Sequence, residues 1–316
     1  MPNQITNDYI SETIEALNIV PPGQRGNDLY LDIVSWNIRY FHDKDSERVE
    51  RISRILNALN ADIIVCQEIK DGSMEAVSDR LADLGAGYYE VNYGQTGGNQ
   101  RICIMHDLDW VRTKCDVEEI FHKGQHIAKD GKDAFPRLPL RGYFTCLAAD
   151  TYSAPFDFQL LGLHLKSQWG GGKAQRRKSA EVLCKWLEDE APLIDSDVLL
   201  LGDWNMKPTS TDWKPFHKLE DEGTAMFKSI NDSTDFSHFY YKNKKNLGSK
   251  LDLAAITVAA HKYLAKAPKT VRWTTLDKFL DANPKAKEIK EYIKQVRDKI
   301  SDHMPVLTRF YFKEPS

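Results

Sequence analysis

Near the end of the 316-residue chain, Ser301-Asp302-His303 sets a carboxylate beside an imidazole. Three earlier segments carry side chains of matching chemistry: Trp36-Asn37, Gln67-Glu68 and Gly202-Asp203-Trp204-Asn205. Hydrolysis of a phosphate ester needs a divalent ion to polarise a phosphoryl oxygen, a positioned water and a neutralised leaving oxygen. A hard ion such as Mg2+ takes one or two carboxylates plus amide oxygens and keeps several waters. Glu68 fits the principal ligand of such an ion, with Asn37 and Asp302 beside it. Asp203 and Asn205 point to the same side of an extended segment and could together hold the nucleophilic water and a phosphate oxygen. His164 closes the run Leu160-Leu161-Gly162-Leu163, and His303 follows Asp302 directly. A carboxylate on the second ring nitrogen fixes a histidine's tautomer and basicity. Asp252, inside the apolar stretch Leu251-Asp252-Leu253, is the candidate partner of His303.

Any one Asn or Asp at a strand end is usually a turn former or a helix cap, and Trp36 and Trp204 are best read as core. The argument for a site is joint. Each polar residue closes a short apolar run, and such runs read as buried strands. Strands are predicted at Leu31–Trp36, Asp62–Gln67, Tyr88–Tyr93, Arg101–His106, Tyr143–Ala149, Phe156–Leu163, Val198–Leu201, Leu253–Val258 and Val306–Phe312. The turn residues Ser153-Ala154-Pro155 separate two of them. Helices are predicted at Thr6–Leu17, Ser46–Leu59, Ser73–Leu84, Ala174–Glu190 and Lys285–Lys299. In Ser46–Leu59, Val49, Ile52, Ile55, Leu56 and Leu59 share one face, with Glu47, Arg48, Glu50, Arg51 and Arg54 on the other. The segment Met206–Leu247 reads as long loops with short helical pieces. Residues 1–28 read as an N-terminal helical extension, and 29–316 as one α/β domain of two packed sheets flanked by helices.

The net charge of -3 gives no global basic field, so any nucleic-acid contact must come from a local patch. The five cysteines lack zinc-finger spacing, and Cys66 and Cys103 lie inside apolar runs. Buried free thiols are expected rather than a disulfide framework. The first residues have neither a basic nor an apolar signal region, and no stretch reaches the length of a membrane span. A cytoplasmic protein with no membrane contact is the expectation; no protein partner can be inferred.

The order Trp36-Asn37, Gln67-Glu68, His164, Gly202-Asp203-Trp204-Asn205, Leu251-Asp252 and Ser301-Asp302-His303 resembles the endonuclease/exonuclease/phosphatase superfamily, over about Leu31 to Phe312. The resemblance implies a four-layered α/β sandwich, DNase I-like, with two mainly antiparallel sheets and Mg2+- or Mn2+-dependent phosphoester hydrolysis. It casts Glu68 as the principal metal ligand assisted by Asn37 and Asp302, and Asp203 and Asn205 as the pair that positions water and phosphate. His303 would be a base or a phosphate-stabilising imidazolium oriented by Asp252, and His164 the second catalytic histidine. Gln67-Glu68-Ile69-Lys70-Asp71 and Phe135-Pro136-Arg137-Leu138-Pro139 resemble segments of deoxyribonuclease I-like enzymes, in which the arginine contacts a phosphate. Where those enzymes carry a carboxylate to orient the first histidine, this chain has Gln100. A glutamine can hydrogen-bond His164 but supplies no charge.

The glycine-rich run Gly170-Gly171-Gly172, followed by Lys173, Arg176 and Arg177, opens a helix whose N-terminus favours anions. With Arg137, Lys166 and Lys250, these cations are the candidate substrate-binding set, and the Lys244-Lys245 pair is a weaker addition. The functional expectation is a nuclease acting on DNA. A phosphatase of a small phosphorylated metabolite or lipid headgroup is the alternative enzyme, and a catalytically weakened binding module the alternative from another class.

Overall fold

The computed structural model describes residues 19–147, 154–168, 170–207, 209–221, 227–230, 236–243 and 246–315. The expected helix Thr6–Leu17, most of the turn before Pro155 and the Lys244-Lys245 pair lie outside these residues.

Two sheets face each other. The first has the order β14 (Leu264–Thr270), β15 (Val306–Phe310), β1 (Leu31–Phe41), β2 (Ile63–Ile69), β4 (Arg101–Asp107) and β3 (Tyr89–Tyr93). The second has the order β10 (Phe227–Ile230), β13 (Asp252–Thr257), β9 (Val198–Asp203), β8 (Asp157–His164), β7 (Leu140–Cys146) and β5 (Val111–Thr113), with β6 (Glu118–Glu119) on β7. Among the described residues only β1 with β2 and β8 with β9 run parallel; the other pairs are antiparallel.

Alternation along the strands makes four layers. Leu31 and Ile33 of β1 meet Leu160 of β8 and Leu199 and Leu201 of β9 between the sheets. Val34 and Trp36 turn outward against the helices Ser46–Leu59, Thr274–Asp281 and Ala286–Lys299. Leu161, Leu163 and Leu200 pack outward against the helix Lys173–Asp189. Each central strand is buried on both faces, so the sequence shows apolar runs there instead of alternation. This is the α/β sandwich expected.

Several elements departed from the sequence reading. Met206–Leu247 carries one of the short helical pieces expected, Lys214–Asp221, but also strand β10 and the hairpin of β11 (His238–Asn243) with β12 (Asn246–Ser249), which were not expected. These strands are only four to six residues long, too short to show a clear period. Strand β14 and the helix Thr274–Asp281 were also not anticipated. Arg48, placed by periodicity on the solvent face, is buried. It donates to the carbonyls of Arg39 (2.8 Å), Ile38 and Ile300 (2.8 Å), tying the end of β1 to the segment before Ser301. Residues Ile19, Val20 and Gln24 pack into the domain, and Gln24 donates to the Thr270 carbonyl at 3.3 Å. The four cysteines 66, 103, 146 and 184 are buried free thiols, as expected, while Cys115 is exposed. No helix among the described residues is long and apolar enough to cross a membrane.

Gly202 occupies a position closed to other residues. Its φ is +148°, and a Cβ there would lie 2.0 Å from the Leu163 carbonyl oxygen of the neighbouring parallel strand. The close approach of β8 and β9 just before Asp203 depends on it.

At the far end of the first sheet, Asp62 is buried and accepts a hydrogen bond from the Asp32 backbone N–H at 2.6 Å. Burial, reinforced by the charges of Asp32 and Asp107, pushes its carboxyl from 3.8 up to about 8. A folded-state value above the unfolded one means that the native state binds the extra proton. The stabilising contribution is therefore whole at low pH and is lost as pH rises from about 4 through about 8. Asp62→Asn should flatten this slope in urea unfolding and make the variant the more stable form at pH 9, by on the order of a few kcal/mol. A variant whose stability parallels the parent from pH 5 to 9 would contradict it.

Candidate active site

The parallel strands β1, β2, β8 and β9 all end at one edge of the sandwich, and their last residues meet there. In the first sheet Asn37 of β1 is in register with Gln67 of β2, and Glu68 follows. The β1–β2 register breaks after Asn37 and the β2–β4 register breaks after Cys66. Glu68 there adopts a φ of +62°, and Arg39 and Tyr40 adopt +44° and +46°. Such left-handed backbone in non-glycine residues is strained and persists only where the surroundings enforce it. The break swings Glu68 out of the ladder into an open cleft. Its Oε1 accepts from Asn37 Nδ2 (3.3 Å) and its Oε2 from the Tyr40 N–H (3.2 Å).

In the second sheet the registers His164↔Asp203 and Asp203↔Asp252 place three functional side chains in one row across β8, β9 and β13. Asp203 Oδ2 accepts from Asn37 Nδ2 (3.1 Å) and Asn205 Nδ2 (3.0 Å), and Oδ1 accepts from the Asn205 N–H (2.9 Å). Asn205 sits at φ +51° and also donates to the Leu165 carbonyl at 3.1 Å. Burial and the neighbouring Asp252 charge raise the Asp203 carboxyl above the ordinary carboxylate range, against the lowering influence of His303.

Asp252 Oδ2 lies 2.7 Å from His303 Nδ1, as the sequence suggested. Burial opposes charge on the imidazole, but Asp252, Asp203 and Asp302 outweigh it and hold His303 up at about 10. Its segment is pinned from three sides. Ser301 Oγ donates to the Asn37 carbonyl (2.7 Å), Trp36 Nε1 donates to the His303 carbonyl (2.9 Å), and the Phe239 N–H donates to the Asp302 carbonyl (2.7 Å). Trp204 Nε1 likewise donates to the Leu253 carbonyl at 2.9 Å. The two tryptophans are core, and their ring nitrogens tie segments of the candidate site together.

His164 departs from the expectation. Gln100 lines the cleft but makes no hydrogen bond to it. Arg137 takes that place: its Nε donates to His164 Nδ1 at 3.1 Å, and a second guanidinium nitrogen closes on Nε2. Burial, Arg137 and the His303 charge hold His164 well below the ordinary 6.5. It is a neutral imidazole, 3.7 Å from Asp203 and 3.8 Å from Glu68.

These residues line a cleft of about 840 Å³. Arg137 and Lys166 line it as anticipated, and Lys207, Arg39, Tyr40, His238 and Tyr240 join them without having been singled out as substrate contacts. Spacing gave no signal for His238 and Tyr240, because the hairpin that carries them was itself illegible. Lys250 lies between the lining residues Ser249 and Leu251. The basic cluster divides. Lys173 is exposed, and Arg177 is exposed and pairs with Glu181 at 3.3 Å. Arg176 is buried, donates to Asp212 at 3.1 Å and to the carbonyls of Lys166 and Ser167, and so is a structural residue that shapes the loop after His164. A helical arginine at this position turns inward, which charge patterning did not reveal.

The donor chemistry fits a hard divalent ion. Glu68 offers a carboxylate at the cleft, Asn37 an amide oxygen, and Asp302 a second carboxylate whose present counter-ion is Arg39 at 3.2 Å. Asp203, Asp252 and His303 also place oxygen and nitrogen atoms within 4.8 Å of one another. There the imidazole is already engaged by Asp252 and Asp203 accepts three hydrogen bonds, which suits proton handling better than metal binding.

Such a site, at the shared edge of two sheets, defines a phosphoesterase class, and the sequence comparison agrees. The chain belongs to the Endonuclease/Exonuclease/phosphatase family, whose model matches residues 34–303. No curated protein matches the sequence. Among solved structures, the family protein from Bacteroides vulgatus is 14% identical, covers 90% of this chain and 99% of its own, with a TM-score of 0.58. Truncated Caenorhabditis elegans TDP2 is 17% identical (90% and 100% covered, TM-score 0.54). The Bacteroides thetaiotaomicron mannosyl-6-phosphatase is 16% identical (88% and 98% covered, TM-score 0.57). At these identities the likeness concerns the fold.

Removing Arg176 leaves Asp212 buried without its ion-pair partner. Arg176→Ala should therefore cost about 3–5 kcal/mol in urea unfolding, whereas Arg177→Ala should stay within about 0.5 kcal/mol of the parent. Equal small effects from both would return Arg176 to the surface patch.

Proposed function

We propose that this family member is a divalent-metal-dependent phosphodiesterase acting on DNA, in the manner of a DNase I-like endonuclease. One observation carries the reading: Glu68, Asp203 with Asn205, and His303 with Asp252 converge on one cleft that is also lined by Arg39, Arg137, Lys166 and Lys207. A Mg2+ or Mn2+ ion held by Glu68, with Asn37 and Asp302, would supply the positive charge that polarises the phosphoryl oxygen.

The chain's own groups divide the remaining work. Asp203, with its raised carboxyl, is suited to accept a proton from the attacking water near neutral pH, while the Asn205 amide orients that water and a phosphate oxygen. His303 is held as an imidazolium by Asp252, so it donates to a phosphate oxygen and opposes the charge that develops there. His164 is neutral and presents Arg137 to the same region, so it acts as a hydrogen-bonding and positioning group instead of a strong base. Lys166, Lys207 and Lys250, with Lys173 and Arg177 further out, extend the contact to neighbouring phosphates. The free cysteines suit a reducing compartment such as the cytoplasm.

A phosphatase of a small phosphorylated metabolite is the second reading. It is favoured by the net charge of -3 and by the loss of Arg176 from the basic patch. Incubation with supercoiled plasmid in Mg2+, Mn2+ or chelator separates the two. Metal-dependent nicking is expected, absent in Glu68→Gln and lowered about 10²–10⁴-fold in His303→Ala. Rates that fall steeply with salt would point to phosphate contacts. Absence of nicking, with phosphate released from sugar phosphates, would replace the nuclease reading by the phosphatase one.

A further inference from the structure

One wall of the cleft is built of rings. The hairpin of β11 and β12 docks on the catalytic segment through the Phe239–Asp302 hydrogen bond and a bridge between His238 and His303. The His238 ring lies 4.7 Å from the His303 ring at 39°, and the Tyr240 ring lies 5.6 Å from His238 at 36°. These spacings are those of interacting aromatic pairs. The series leads from the imidazolium outward to the half-buried Tyr240, and both His238 and Tyr240 line the cleft. His238 Nδ1 is buried and has no hydrogen-bond partner.

A second ring lines the same cleft from β1. Tyr40 is 54% exposed, and its backbone is held in the left-handed region by the hydrogen bond to Glu68. The Arg39 guanidinium lies 5.6 Å from its ring centre. Large apolar groups exposed singly need no account; an exposed ring set by strained backbone beside the metal carboxylate does. The cleft therefore combines cations for phosphates with flat faces beside the reacting centre. Every nucleobase offers a π face to such walls.

We infer that His238 and Tyr240 form a stacking surface for the base next to the scissile phosphate, so that the substrate is a nucleotide phosphoester with an unpaired base. The inference names the substrate of the site described under Proposed function and rests on that reading. Tyr40 closes the same cleft from the first sheet.

The test is a short single-stranded oligodeoxynucleotide carrying 2-aminopurine, mixed with the protein and Mg2+ by stopped flow so that stacking is seen ahead of cleavage. Fluorescence quenching is expected with the native chain and with Tyr240→Phe. Tyr240→Ala should lower the affinity about tenfold to a hundredfold, the scale of losing one base–aromatic stack. An oligonucleotide with a tetrahydrofuran abasic residue in place of the probe base should bind the native chain correspondingly more weakly than its intact counterpart. The inference is overturned if Tyr240→Ala binds like the parent, if Tyr240→Phe is impaired as much as Tyr240→Ala, or if the abasic oligonucleotide binds as tightly as the intact one. Cleavage of the same intact oligonucleotide by the native chain in Mg2+, resolved on a gel, reads the underlying activity separately. Cleavage without ring-dependent binding removes only the stacking surface, and ring-dependent binding without cleavage upholds the surface and removes the nuclease activity.

Discussion

The pairing of Asp252 with His303 is the interaction on which the site depends. Asp203 and Asp252 are neighbours in register on adjacent strands, both buried, and two carboxylates so placed repel each other in a medium that screens poorly. His303 answers both charges from the first sheet, because its segment runs directly into β15. The pair is thus a bond between the two halves of the sandwich as well as part of the candidate site. Removing either partner leaves buried charge uncompensated, which is strongly destabilising. Much of the surrounding structure serves to hold His303 in place: Ser301 on the Asn37 carbonyl, Trp36 on the His303 carbonyl, and Arg48 on the Ile300 carbonyl.

Strain is concentrated at the same edge. Arg39, Tyr40, Glu68 and Asn205 all take left-handed backbone, and Gly202 permits the contact of β8 with β9 that no side chain would. Each of these residues either bears a functional group or aims one. A regular ladder would direct Glu68 along the strand alternation. The register break redirects it into the cleft, where its two oxygens are oriented by Asn37 and by the Tyr40 N–H. Preorganisation of this kind fixes donors and acceptors before substrate arrives, so less reorganisation remains for the reacting state.

The likeness to solved structures runs through the whole sandwich, while sequence identity stays at 14–17% for the relatives described. That combination is what the layer logic predicts. The apolar runs are interchangeable in detail as long as both faces of each central strand stay buried. The strand ends are constrained by chemistry instead. In this chain the β11–β12 hairpin and Tyr40 form walls of the cleft at the edge of the sandwich.

Most of the candidate site was legible in the sequence. Asn37, Glu68, His164, Asp203, Asn205, Asp252 and His303 each sit at the end of, or inside, an apolar run, and such positions are conspicuous because burial of a charge is costly. The helix Ser46–Leu59 was legible through its periodicity, and the pairing of Asp252 with His303 through their chemistry. Other features arise from contacts between distant segments and left no local signal. Arg48 and Arg176 look like solvated helix residues in the sequence, yet both turn inward to backbone carbonyls or Asp212. Gln100 stood where an orienting carboxylate was expected, and Arg137 holds His164 instead. The hairpin bearing His238 and Tyr240 is short, and it is held by burial of Phe239 in the core and by docking on the Asp302–His303 segment. The sequence determined which residues must lie buried at strand ends, because hydrophobic burial acts on every apolar run alone. The tertiary structure decided which of them meet and in what charge state, because registers, close approaches and electrostatic pairings exist only when strands from across the chain lie side by side.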